Sequence, residues 1–529
     1  MKHWIWLTPL FLIATVSGYW LARTAVPAPR IAVEEVPPRI SPTPADAPMP
    51  AFRRGERPPA NPRDHEAIDA GAVANQRVIA FSSREALEAF LARAGDGIEI
   101  LGRLDALLAL RVGFRDADAL AALLDGNEEL SMIFPVEIPM PGNVGAQAGA
   151  VPLENALLAW LGIDGMPAAG DGVRIAILDT GVDLHRWFSE NIHSINLVER
   201  LAEINGHGTA VASMILGQHR LAPGVAPNAS IIDIRIANDF GASNSWLLAE
   251  GILAAVNAGA HIINISLGST ADSALVRNAL AYAQAAGVIV VAAAGNQGLD
   301  RVAYPAGNPG VLAVGATDAT GRHVAFSNSG NIDVSAPGFG INAAWPGDTA
   351  VNVHGTSFSA PIISGALAWI MSTQNVNATQ AVALMNQYLN DAGAAGHDPA
   401  HGGGLPALDR VANGTTPGIF DAAVASHHVI APSPGKPYAQ LEVVVQNRGT
   451  EPLLNTTVTI QHPGGTTTAN ITSLPPGGVQ PVFVPIPNVQ YDSGQPLAFD
   501  SRVSISQGIT DANPANDRRT DIHLQVESP

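Results

Sequence analysis

Four side chains in this sequence stand where a hydrolytic site could be assembled, and each has a plainer reading on its own. Ser357 lies in VHGTSFSAPII, a Gly-flanked stretch ahead of the apolar run Pro361–Met371. A serine in the first turn of a buried helix faces unpaired backbone N–H groups and the positive end of the helix dipole. That suits an oxyanion and an activated nucleophile, although serine is also an ordinary helix cap. Asp179 follows the aliphatic run VRIAIL in LDTGVD. A carboxylate there faces the crevice at the C-terminal end of a parallel strand, but polar residues often end strands. His207 sits between glycines in NGHGTAVASMI, at the start of an apolar helix; a lone histidine there is more often structural. Asn296, in VIVVAAAGNQG, is either a turn residue or a neutral amide donor for an oxyanion that forms and collapses. Together they supply an orienting acid, a base, an oxyanion donor and a nucleophile, which is the equipment of acyl transfer.

Such residues act only if one framework positions them. Val173–Leu178, Ile231–Ile236, Ile262–Ile265, Val288–Ala293 and Val311–Val314 are near-continuous aliphatic runs, as buried parallel strands are. Thr209–Leu216, Ser245–Ala258 and Ser273–Ala286 have helical character between them. The alternation predicts an α/β domain with a doubly wound, mostly parallel sheet, whose sites form at the carboxyl ends of its strands. The four candidates all stand at ends or beginnings of these elements.

At this point the chain resembles the subtilisin-like serine proteases. The signature segments stand as AILDTGVD around Asp179, NGHGTAVAS around His207 and GTSFSAP around Ser357, in the order Asp, His, Ser. The resemblance spans residues 151–413. It implies that Asp179, His207 and Ser357 form a catalytic triad and that Asn296 and the Ser357 N–H form the oxyanion hole. It also implies that Asn264-Ile265-Ser266-Leu267-Gly268 pairs with extended substrate backbone and that Gly241-Ala242-Ser243 faces it. Ala293, Ala294 and Gly295 would wall the first specificity pocket. Phe358 follows the nucleophile where many members have Met, and would narrow the leaving-group side. LHRWFSEN, after Asp179, gives no assignable calcium pattern, so no metal and no cofactor is expected. His401-Gly402-Gly403-Gly404 imitates a lipase oxyanion motif, but its place after the catalytic helices fits the Gly-rich end of this domain instead.

With 529 residues, the chain has room for about three or four domains. A net charge of −18 gives no basic field for nucleic acid. The absence of cysteine excludes disulfides and thiolate chemistry. Residues 1–25 contain the apolar run Trp4–Ala22 behind Lys2, a signal peptide or a signal anchor; either places the protein outside the cytoplasm, and only the uncleaved form would hold it at the membrane. Residues 26–76 form a Pro-rich linker. Residues 77–140 read as β-α-β-β-α-β, a ferredoxin-like unit with strands Val78–Phe81, Ile98–Leu101, Ala106–Val112 and Leu130–Val136 and helices Ser83–Ala94 and Asp116–Leu124. Beside the resemblance, that unit looks like the family's inhibitory propeptide, an intramolecular partner cut near residues 141–150. Residues 414–529 carry alternating runs at Ala439–Gln446, Thr456–Gln461, Val479–Ile486 and Arg502–Gln507, an antiparallel β-sandwich resembling CARDB or fibronectin-like modules. His427-His428, within it, is expected to be exposed rather than to hold a metal.

The expected function is an exported, self-processing serine endopeptidase acting on polypeptides. An exported binding or adhesion protein with an inactive protease-like domain is the reading from another class, and the complete tetrad argues against it. A dedicated processing protease with one protein target is a third.

Overall fold

The computed structural model describes residues 64–139, except 125 and 127, and residues 149–523, except 189–190, 200–204, 494 and 507. The N-terminal apolar run and residues 26–63 of the expected linker lie outside these residues, as does most of the expected joint at 141–150. The linker's last residues are described and depart from the expectation, with a short helix His65–Asp69 and Asp64 buried in an ion pair with Arg77.

A seven-stranded sheet forms the centre, in the order 334–337, 311–317, 289–293, 262–265, 174–179, 230–235, 192–196. Every neighbouring pair is parallel. The aliphatic runs fill its middle because such strands are covered on both faces. One face packs against helices His207–Leu216, Thr356–Gln374 and Ala378–Gln387 through Ile175, Ile177, Ala210, Met214, Ile362 and Leu367. The other packs against helices Ser245–Asn257 and Ala274–Ala285 through Ala176, Leu178, Ile252, Leu275 and Val290. The two edge strands, Ile192–Asn196 and Val334–Pro337, were not expected from sequence. The first, IHSIN, mixes polar with apolar residues and lacks the buried-strand signal, and the second ends in proline.

Ahead of this sheet, four antiparallel strands run in the order 98–104, 109–114, 76–81, 128–131, with helices Arg84–Arg93 and Ala117–Ala121. One face closes on its own helices through Ile79, Leu87, Phe90, Leu110 and Val112. The other face, with Val78, Leu104 and Ala109, shares the core that contains Trp246 and Leu275. The expected last strand, Leu130–Val136, is in fact two. Glu128–Ser131 completes this sheet, and Pro135–Glu137 leaves it to pair with Ala242–Asn244. The mostly apolar run LSMIFPV does not mark that break, because the break is set by which sheet each half reaches.

Beyond Asn413 the described residues form two antiparallel sheets. Strands 422–430, 440–447 and 479–485 make one; strands 465–474, 453–462, 497–504 and 518–523 make the other. Val424, Leu441 and Val443 of the first meet Val458, Ile460 and Phe499 of the second in one apolar core. The expectation of an exposed His427 is overturned. Its side chain is 1% exposed, with Nδ1 3.0 Å from Asp521 and Nε2 2.8 Å from the Ser501 hydroxyl. The Asp521 partner lies 94 residues away, so nothing local in the sequence could reveal it. Among the described residues, no helix is long and apolar enough to cross a membrane.

Candidate active site

Asp179 closes strand Arg174–Asp179, and its carboxylate is fully buried. Burial of a carboxylate requires donors, and it has them. Oδ1 accepts the Thr180 N–H at 2.7 Å, and both oxygens lie 2.9 and 3.0 Å from His207 Nδ1. The acid thereby fixes which imidazole nitrogen faces it. His207 opens helix His207–Leu216, and Asn205 anchors its backbone N–H at 3.0 Å. The flanking glycines have a steric reason. A Cβ on Gly208 would stand 2.4 Å from the Gly181 carbonyl oxygen, and one on Gly206 would stand 2.4 Å from the Trp345 ring. The helix start therefore lies directly on the loop that follows the acid. His207 Nε2 is buried and has no hydrogen-bond partner.

Ser357 is the second residue of helix Thr356–Gln374 and is 2% exposed. The helix begins five residues before Pro361, which it accommodates in its interior. Gly355 enters it at φ +135°, a conformation that favours glycine. Ser266 Oγ donates to the Ser357 carbonyl at 2.8 Å and accepts from Asn264 at 3.0 Å. The Ser357 hydroxyl donates to the Ser266 carbonyl at 3.2 Å rather than to His207. The Phe358 and His207 rings lie 5.5 Å apart, so the expected Phe does border the site.

Asn296 lies just past strand Ile289–Ala293. Its Oδ1 accepts from both the Thr356 N–H and the Thr356 hydroxyl, each at 2.8 Å. The oxygen is thus committed to the nucleophile helix, and the NH2 end must point away, where Nδ2 donates to the carbonyl of Pro139. Thr356 was quoted in the GTSFSAP segment but given no role from sequence. Only the fold shows that it orients the amide.

The edge segment is in contact with extended chain. Glu137 and Gly268 exchange both backbone bonds, at 2.9 and 2.8 Å, and the Ile138 N–H donates to Gly241 at 3.2 Å. Ala242 pairs with Glu137 and Ser243 with Val136. Residues 135–138 therefore lie as the middle strand between the two segments expected to hold substrate. Leu267 is fully buried; Ala293 and Ala294 are buried beside them. Gly295, at φ +105°, has the Asn328 amide where a Cβ would be. Gly268, Gly241 and Ala242 thus touch residues 135–138, and Ser266 adjoins Ser357. Among the described residues, no group of three or more His, Cys, Asp or Glu is arranged to hold a metal.

The arrangement offers a nucleophile, a base held by a buried acid, and an aimed amide donor beside a groove filled by backbone in antiparallel pairing. Comparison with known proteins gives the family. The model of the subtilase family matches residues 170–404. The chain is 35% identical over 243 residues to the alkaline protease of Alkalihalobacillus alcalophilus, covering 45% of this chain and 63% of that one. It is 35% identical over 241 residues to alkaline elastase YaB of Bacillus sp. (strain YaB), with the same coverage, 45% and 63%. With Subtilisin Savinase of Lederbergia lenta it shares 35% identity over 243 residues, 45% of this chain and 89% of the relative. The chain thus spans less than two thirds of the first two relatives and most of the third. A solved structure of the protease domain of PatA, a mutant, aligns at 33% identity over 47% of this chain and 98% of that chain, with a TM-score of 0.44.

Proposed function

Because this chain belongs to the subtilase family, we propose that it is a serine endopeptidase in which Asp179, His207 and Ser357 are the triad and Asn296 the oxyanion donor. The single observation that carries this reading is the stretch Pro135–Pro139. It lies in extended pairing with Gly268 and Gly241, and its last carbonyl meets the Asn296 amide. Peptide backbone in that position is what a peptidase must bind.

On this reading each group has its own role. Ser357 Oγ attacks a peptide carbonyl while His207 Nε2 takes its proton. Asp179 holds the imidazole and stabilises its charged form. The Asn296 amide and the Ser357 N–H receive the tetrahedral oxygen; one such donor lowers the barrier by roughly 3–4 kcal/mol, a figure known from members of this family. His207 then protonates the departing amine, and water resolves the acyl-enzyme. Ser266, Leu267, Gly268, Gly241 and Ala242 bind substrate backbone, and Ala293, Ala294 and Gly295 border the first side-chain pocket.

The segment 77–140 is read as a ferredoxin-like propeptide that inhibits in cis, and the segment 414–529 as a CARDB-like or fibronectin-like sandwich, with residues 151–413 as the catalytic domain. Export rests on residues 1–25, and polypeptides are the substrates. The test is expression of the full chain and of Ser357→Ala, followed by N-terminal sequencing and a chromogenic peptide assay. Serine-dependent hydrolysis and a new N-terminus upstream of Val151 are expected. A wild type that hydrolyses nothing beyond what Ser357→Ala hydrolyses sinks the reading.

A further inference from the structure

Pro139 sits in the cleft next to the nucleophile, where it has no N–H to give, and the Ser357 hydroxyl has taken up the acceptor beside it. In an antiparallel ladder, residues that exchange both backbone bonds recur every second position. Glu137 and Gly268 are such a pair, with bonds of 2.9 and 2.8 Å. The next pair along is residue 139 against residue 266, where the residue 139 N–H would donate to the Ser266 carbonyl. Proline has no N–H to give. In its place the Ser357 hydroxyl donates to that carbonyl at 3.2 Å. His207 Nε2, which must take the Ser357 proton, is left buried and without a partner. Meanwhile Pro139 is itself buried, and its carbonyl is held by Asn296. The carbonyl is bound as for attack, while the attacking oxygen is turned from its base.

We propose that Pro139 is a specificity-determining brake. It presents its own carbonyl for cleavage at Pro139–Met140 but diverts Ser357 to the Ser266 carbonyl, so that this cut is slow and the N-terminal unit stays bound in the cleft. The inference rests on the proteolytic reading above and adds a bond and a rate to it. It also puts the cut one residue ahead of the joint expected from composition. When the step does occur, Ser357 Oγ bonds to the Pro139 carbonyl carbon and its proton passes to His207 Nε2. The C–N bond to Met140 then breaks, and the Met140 nitrogen leaves with that proton. Water hydrolyses the Pro139 ester and restores Ser357. Substrates offered in trans are then preferred when the residue at this position carries an N–H that fills the Ser266 acceptor.

The experiment compares the full chain as wild type, Pro139→Ala and Pro139→Ala/Ser357→Ala, pulse-labelled and chased, with the new N-terminus read by mass spectrometry. Pro139→Ala should release a chain beginning at Met140 roughly tenfold faster than wild type, the size of one restored hydrogen bond, and the double variant should stay uncut. A peptide series offered to the processed protein isolates the N–H itself. Val-Glu-Ile-Ala-Met-Pro should be hydrolysed faster than its N-methylalanine counterpart. Equal processing of wild type and Pro139→Ala overturns the proposal, and so does equal hydrolysis of the two peptides. If no form hydrolyses any peptide in a Ser357-dependent manner, the proteolytic reading itself falls and takes the proposal with it.

Discussion

Asn296 has one end that accepts and one that donates, and Thr356 decides which faces the cleft. Two bonds of 2.8 Å hold Oδ1, and one of them comes from the Thr356 hydroxyl. Removing the amide in Asn296→Ala should lower kcat by about 10²–10³-fold with little change in KM, since the donor acts on charge that develops only in the transition state. Thr356→Val keeps the backbone bond and loses the hydroxyl bond. A smaller kcat loss, about three- to tenfold, is expected from that variant, again at nearly constant KM. Steady-state kinetics on one peptide substrate check both. A KM rise without a kcat loss in Asn296→Ala would remove the oxyanion role. At this scale the sequence was legible in kind. It offered Asp179, His207, Ser357 and Asn296 because each sits at an element boundary with a glycine within two residues. It gave no role to Thr356, because a threonine before the nucleophile has no pattern apart from the partner it meets 60 residues away.

The elements matter through how closely they approach. Helix His207–Leu216 begins directly on the loop after Asp179, with the Gly181 carbonyl oxygen where a Gly208 Cβ would be, at 2.4 Å. Backbone cannot swing aside as a long side chain can. Gly208→Ala should therefore push the helix start off the strand, lengthen the His207–Asp179 contact and cost about 2–3 kcal/mol or more. The expected readout is a lowered Tm together with a fall in kcat larger than the stability loss explains. A variant as stable and active as wild type would show that this approach is not what the glycine protects. The long parallel strands were readable because covering both faces demands continuous aliphatic residues. The division of Leu130–Val136 into Glu128–Ser131 and Pro135–Glu137 was not, since the break is set by which sheet each half reaches.

At the scale of the whole molecule, the residues after Asn413 are tied to those before it by buried polar contacts. Asp391 is 4% exposed; its backbone N–H meets Gln446 at 3.0 Å across the 414–529 segment. Burial pushes its carboxyl up to about 7, against only partial help from the Gly396 N–H. The neutral form is therefore the one the fold favours. Below the unfolded value of 3.8 the group is protonated in both states and adds its full contribution; that contribution is lost as pH rises through about 7. Asp391→Asn should abolish this loss, so its Tm advantage over wild type should grow between about pH 4 and about pH 7. Thermal melts of the Ser357→Ala background across that range measure it without self-digestion. A pH-independent difference would show that Asp391 does not titrate across this window.

What the sequence determined by itself was the family and the parallel-sheet framework. The residue types at Asp179, His207, Asn296 and Ser357 are those the proposed reaction needs, and hydrophobic continuity over four to seven residues marks strands whatever surrounds them. What only the tertiary structure decided was each contact between residues far apart in the chain. These include Thr356 on Asn296, Asp521 on His427, and above all the register that sets Glu137 against Gly268 and so Pro139 against Ser266. Composition can show that a segment is extended, but a shift of one residue changes every partner it has. Register is fixed by the packed surfaces on both sides of the strand, and those exist only once the chain has folded.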